Sequence, residues 1–191
     1  YEATLTSSTN AETATITGTL NGSSIGDQAT VDFVPGPPAS VSIAQINSPQ
    51  TAGQSFGVDL TVEDDNGNVV PSYSGTLNLS PAQGSSISPT STSFDGSEGG
   101  TKTVQVTLTD AVTSEEITAT DDTDDAITGT SNTFDVEAGL AETVAIATQP
   151  SATTAGQSIG GAPAVEVSDA NGNLVSGVDV TVSEAGGYAF D

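Results

Sequence analysis

EDDNGNVV at residues 63–70 and SDANGNLV at residues 168–175 are two spellings of one phrase, an Asp-x-Asn-Gly-Asn turn followed by an apolar pair. Asn-Gly is a tight-turn signal, because both residues tolerate the positive φ that such turns demand. The flanks agree with a hairpin. Residues 58–62 (VDLTV) lead into the first copy with every second residue apolar, the period of a strand that buries one face. Runs of the same kind stand at residues 1–5, 77–79, 104–108, 134–136 and 178–182, each bounded by Gly, Pro, Asn, Asp or Ser. No long helical period competes, so the sequence predicts an all-β chain of packed antiparallel sheets. The alternation nominates Val58, Leu60, Val62, Leu77, Leu79, Val104, Val106, Leu108, Ile117, Phe134 and Val136 as the inward set of one sandwich.

The doubled turn belongs to a longer repeat. TAGQS at residues 51–55 recurs at 154–158, and Val41 is matched by Val144, an offset of 103 residues in both cases. The turns themselves stand 105 apart, because the second copy carries two more residues before its turn. Extended backwards, the offset of 103 pairs YEATL at the start with VQVTL at 104–108 and Gly36 with Gly139. The chain therefore divides into the C-terminal part of one unit (1–36), a complete unit (37–138) and the N-terminal half of a further unit (139–191). Pro35-Gly36-Pro37-Pro38 predicts a stiff, extended connector, and Glu137-Ala138-Gly139-Leu140 a more pliant one. Connectors this short favour stacked units. An incomplete unit leaves strand edges and an apolar face open, to be completed either by continuation into further repeats of the same protein or by self-association through strand addition.

Composition removes most chemistry. One Lys or Arg stands against 25 Asp and Glu, a net charge of −24, which repels phosphate backbones and anionic lipid heads and excludes nucleic acid as a natural partner. There is no His, Cys, Met or Trp, so imidazole bases, thiol nucleophiles, zinc-finger ligation and disulfides are all missing. Such acidity keeps a surface hydrated at high salt, a lever that halophiles use. No apolar stretch is long enough for a membrane-inserted helix. Adjacent carboxylates such as Glu115 and Glu116 fall on opposite faces of a strand and do not make the opposed pair of a glycosidase, and no enzyme is expected.

The strand, Asp-x-Asn-Gly-Asn turn, strand unit at 62–70 and again at 167–175, followed by VDVTVS at 178–183, resembles bacterial immunoglobulin-like repeat domains. The invasin and intimin group and the repeats of giant surface proteins are the family it is similar to. That resemblance implies tandem immunoglobulin-like β-sandwiches of about 103 residues at the cell surface or outside the cell, as stalks, filaments or adhesin arms. An adhesive reading, in which end loops hold a glycan or a protein target, stands as the alternative.

Two sets of carboxylates are candidates for a metal. Asp64, Asn66 and Asn68 follow the 1, 3, 5 spacing of a calcium loop, but position 12 falls on Gly75 instead of a bidentate Glu, so an EF-hand is not expected. The run Asp121-Asp122-Thr123-Asp124-Asp125 puts four carboxylates on one hairpin, where they repel unless water, salt or calcium intervenes. In the immunoglobulin topology this run and Asp64–Asp65 share one end, so Asp64, Asp65, Asp121, Asp122, Asp124 and Asp125 form a candidate calcium clamp at the joint with the preceding unit, with Glu12 as a further contributor. The plainer reading of the doubled turn is a structural part built twice.

Overall fold

The computed structural model describes residues 6–161 and 163–181, and these form strands and turns with no helix among them. The N-terminal segment comprises β1 (Glu12–Ile16), β2 (Thr19–Leu20), β3 (Ser23–Ser24) and β4 (Ala29–Phe33). β1 pairs antiparallel with β4, and β2 with β3. The turn between β2 and β3 is Asn21-Gly22, with both residues left-handed (φ 50° and 81°), the conformation for which Asn-Gly is selected.

A two-sheet sandwich fills the middle of the chain. Its strands are β5 (Ser40–Ile43), β6 (Gln50–Thr51), β7 (Ser55–Glu63), β8 (Ser74–Pro81), β9 (Ile87–Ser88), β10 (Ser91–Asp95), β11 (Thr101–Leu108), β12 (Val112–Glu115), β13 (Ile117–Asp121), β14 (Thr128–Thr130) and β15 (Phe134–Glu137). One sheet has the order β10-β8-β13-β14 and the other β5-β7-β11-β9, while β12-β15-β6 makes a smaller sheet in which β15 runs parallel to β6. All eleven residues nominated from the alternation lie in the core, which Val41, Ile46, Tyr73, Phe94 and Ala119 help to complete. Many outward positions carry hydroxyls, and some of these pair across strands, as in Thr118–Thr130 at 3.0 Å and Thr120–Thr128 at 2.8 Å.

After the sandwich, β16 (Thr143–Thr148) and β17 (Ala164–Ser168) form a two-stranded hairpin with Val144 opposite Val167, the register in which Val41 faces Val62. One expectation changes here. Residues 178–181 are not a strand, because the equivalent β8 is held on both sides by β10 and β13 and no described residue in the C-terminal segment supplies such partners. The runs expected at 1–5 and at Val182 lie outside the described residues.

Candidate functional site

The Asp-x-Asn-Gly-Asn turns sit where one segment meets the next. Each is a type I turn closed by a left-handed glycine, with the Gly67 N–H donating to Asp64 O at 3.0 Å and the Asp64 N–H to Asn68 O at 2.9 Å. Only Gly67 (φ 78°) and Gly172 (φ 88°) need positive φ here. Asn66 and Asn171 do not, which corrects the expectation that both residues of the Asn-Gly pair were chosen for it. The turn is organised instead around its first residue. Asp64 Oδ1 accepts the backbone N–H of Asn66 and of Asn68, each at 2.9 Å, and Oδ2 accepts the N–H of Gly36 in the connector at 2.7 Å. Asp169 repeats this on Asn171, Asn173 and connector Gly139, at 2.9, 2.9 and 2.7 Å.

Both aspartates are 3% exposed, yet neither faces a cationic side chain; the peptide N–H groups and one amide solvate the charge. The side-chain hydrogen bond from Asn68, with the N–H of Gly36 and of the turn, holds the Asp64 carboxyl down to about 2, and Asn173 with Gly139 holds Asp169 to about 2 in the same way. A side chain on either connector glycine would crowd this carboxylate, since a Cβ on Gly36 or Gly139 would lie 3.4 or 3.3 Å from the Asp Oδ2.

The last residue of the motif reaches across the joint. Asn68 Nδ2 donates to Thr9 O and its Oδ1 accepts the Ala11 N–H, both at 2.8 Å. Asn173 makes the same pair of bonds to Thr109 O and the Ala111 N–H, again both at 2.8 Å. A primary amide thus stands in for a peptide group and pairs with the preceding segment as a neighbouring strand would. The seats were legible in the sequence as Thr9-Asn10-Ala11 and Thr109-Asp110-Ala111, but they stand 100 residues apart, not 103, so an alignment at one fixed offset passes over them. At the second joint Gly53, left-handed at φ 76°, packs against Asn171, whose Nδ2 would lie 2.5 Å from any Cβ placed there.

The acidic hairpin occupies the same pole. Pro38, Val70, Tyr73, Asp121 and Asp124 line a shallow cleft there, and neither Asp64 nor Asp65 is part of that lining. The carboxylates serve separate local purposes. Asp121 is buried and accepts hydrogen bonds from the Tyr73 hydroxyl, the Thr123 N–H and hydroxyl and the Asp124 N–H. Burial pushes Asp121 upward, but these donors, Tyr73 and Thr123 foremost, outweigh it and hold the carboxyl below its ordinary range. Burial, then the hydrogen bond to Asp121, pushes the Tyr73 phenol well up. Asp65, Asp122, Asp124, Asp125 and Glu12 are exposed. A cation at Asp64 or Asp121 would have to displace protein donors, and among the described residues no three acidic side chains are gathered to hold a metal ion.

Two polar groups stand apart from this pole. Glu115 is fully buried and accepts the Gln83 and Glu116 N–H groups and the Ser85 hydroxyl, whereas Glu116 is only partly covered. Lys102 pairs with Glu98 at 3.0 Å and lies 5.4 Å from the Phe94 ring centre. Among the described residues no helix is long and apolar enough to cross a membrane.

No family model matches the sequence, and no curated protein does. Among solved structures the chain is similar to FdeC, an Escherichia coli adhesin, at 21% identity and a TM-score of 0.49, covering 87% of this chain and 53% of that one. It is also similar to domains 1–6 of the surface layer protein SbsC, at 20% identity and a TM-score of 0.35 over 88% of this chain and 21% of that one. For domains 4–9 of SbsC the values are 19% and 0.37, over 94% and 27%. The chain thus spans about half of the FdeC structure and about a quarter or less of the two SbsC structures.

Proposed function

We propose that this chain is a structural module of an extended cell-surface stalk or extracellular filament, built from tandem immunoglobulin-like sandwiches with units at 1–36, 37–138 and 139–191. The observation that carries the reading is that both joints are made by the same turn, through the same atoms, at matching distances. A tether between independent binding domains has no need to repeat its joint geometry, whereas a stacked array does. The terminal Asn of each Asp-x-Asn-Gly-Asn turn is spent on the neighbouring segment, so its amide is already engaged and not free to hold a glycan or protein target. The role is mechanical and not enzymatic.

The open hairpin of β16 and β17 fits the same reading. Ile146 and Ile159 are exposed, whereas Ile43 and Phe56, their counterparts at the repeat offset, pack against the core of the sandwich. We place over this face the strands equivalent to β11 and β15 of a further unit of the same protein. Small-angle scattering of the native protein should give a rod one sandwich wide, and protease treatment of intact source cells should remove it from the surface. A compact particle, or a protein protected until the cells are lysed, would sink the proposal. A native mass of a single 18.8 kDa chain with intermolecular strand pairing would instead assign the cover to a neighbouring molecule.

A further inference from the structure

We infer that each Asp-x-Asn-Gly-Asn turn is an inter-unit lock that sets the geometry between consecutive units without a cation, with Asp64 and Asp169 as anchors and Asn68 and Asn173 as bolts. The inference deepens the proposed function and rests on its division into units. It does not depend on where the protein is located.

The lock has two halves. Its bolt is the terminal Asn, whose amide engages two backbone groups of the preceding unit, a carbonyl and the N–H two residues later, both at 2.8 Å at each joint. Two parallel bonds from one planar amide fix direction as well as distance, as a single contact cannot. The anchor is the Asp, which binds the bolt's own amide (Asn68 Nδ2 to Oδ2 at 3.0 Å, Asn173 Nδ2 to Oδ2 at 2.9 Å) and clasps the connector glycine N–H at 2.7 Å. Turn, connector and preceding unit are therefore tied at one carboxylate.

Backbone recognition explains why the seat tolerates Asn10 in one copy and Asp110 in the other, since the bolt hydrogen-bonds to neither side chain. The anchor explains why calcium is dispensable. Its charge is already met by N–H donors, and a cation would have to break the bonds that make the joint. Isolated hydrogen bonds exchanged with water contribute little, but here the carboxylate is 3% exposed, so a lost donor leaves a buried charge short of a partner.

Asn173→Asp is the sharpest test. It keeps the size and the acceptor, deletes the donor to Thr109 O, and sets a second carboxylate against Asp169. The protein has no cysteine, so spin labels on Gln105→Cys and Glu166→Cys report the distance across the second joint without background. The parent chain should give a narrow distance distribution, the same in calcium and in a chelator. Asn173→Asp should broaden it about two-fold or more, toward the independent motion that is the default for linked domains, while the melting of the central sandwich is unchanged. Ala111→Pro, which deletes the seat's N–H from the opposite side, should broaden it likewise. A parent distribution already as broad as the variants', a width indifferent to both substitutions, or narrowing only in calcium would each overturn the lock. A rod that keeps narrow joints but is absent from the cell surface would sink the proposed function and leave the lock standing.

Discussion

The central sandwich and the C-terminal hairpin carry the same local sequence and meet opposite fates. Val41 and Val144 hold equivalent places opposite Val62 and Val167, yet Val41 is 5% exposed and Val144 is 58% exposed. Asp64 and Asp169, in the turns that follow, are both 3% exposed and make the same bonds. The turn is built from bonds that span four residues or fewer, plus a connector and a seat that are present at both joints, so it forms beside a closed core or an open sheet. A strand's burial depends on partners tens of residues away, and among the described residues β16 and β17 have only each other.

Substitutions that depend on distant partners should therefore separate the two regions most. Val41→Asp and Val106→Asp bury an unpaired charge and should cost the sandwich about 3 kcal/mol or more, whereas Val144→Asp and Gln105→Asp should stay within about 0.5 kcal/mol. Denaturant melts of the four variants check this, and equal shifts would show that the two regions do not differ as described. Glu115→Ala strips three donors of their buried acceptor and should destabilise the sandwich by about 3 kcal/mol. Because Gln83 and Ser85 lie about thirty residues from it in sequence, the loss should also loosen the loop between β8 and β9; unchanged amide exchange at Gln83 would contradict that.

Tyr73→Phe removes one of the donors to Asp121 and should lower the melting temperature by about 4–8 °C, the equivalent of about 1 kcal/mol in a domain of this size.

Acid sharpens the comparison further, because the two turns should respond alike. The folded carboxyls of Asp64 and Asp169 stand at about 2 against an ordinary value of 3.8. A lowered folded value means that the stabilisation is fully present above 3.8 and is lost as pH falls through about 2. The Gly36 and Gly139 amide resonances, whose N–H groups bind these carboxylates, should both titrate with midpoints near 2. A midpoint near 3.8 for Gly139 alone would show that the open side weakens the turn. The smallest expected effect is that of calcium, which should raise the melting temperature no more than sodium of equal ionic strength. A calcium-specific rise, abolished by substituting Asp122, Asp124 and Asp125, would make the acidic hairpin a cation site after all.

The sequence by itself determined the class of fold and the inward set of the central sandwich. Alternation with period two assigns a face to each residue, and Gly, Asn and Pro mark where the strands stop. It also exposed the doubled turn, since a motif that solves a local problem keeps its spelling wherever it recurs. Only the tertiary structure decided what the turn is for. The groups that Asn68 and Asn173 hold are a backbone carbonyl and N–H, which every residue but proline possesses, so recognition leaves no side-chain signature beyond a faint Thr-x-Ala at an unexpected offset. The tertiary structure likewise parted the acidic residues that the sequence had grouped by charge: Asp64 and Asp121 turn inward to peptide and hydroxyl donors while their neighbours face water. Charge is a property of composition, but whether a carboxylate meets a cation, an N–H or solvent depends on which backbone the fold carries to it.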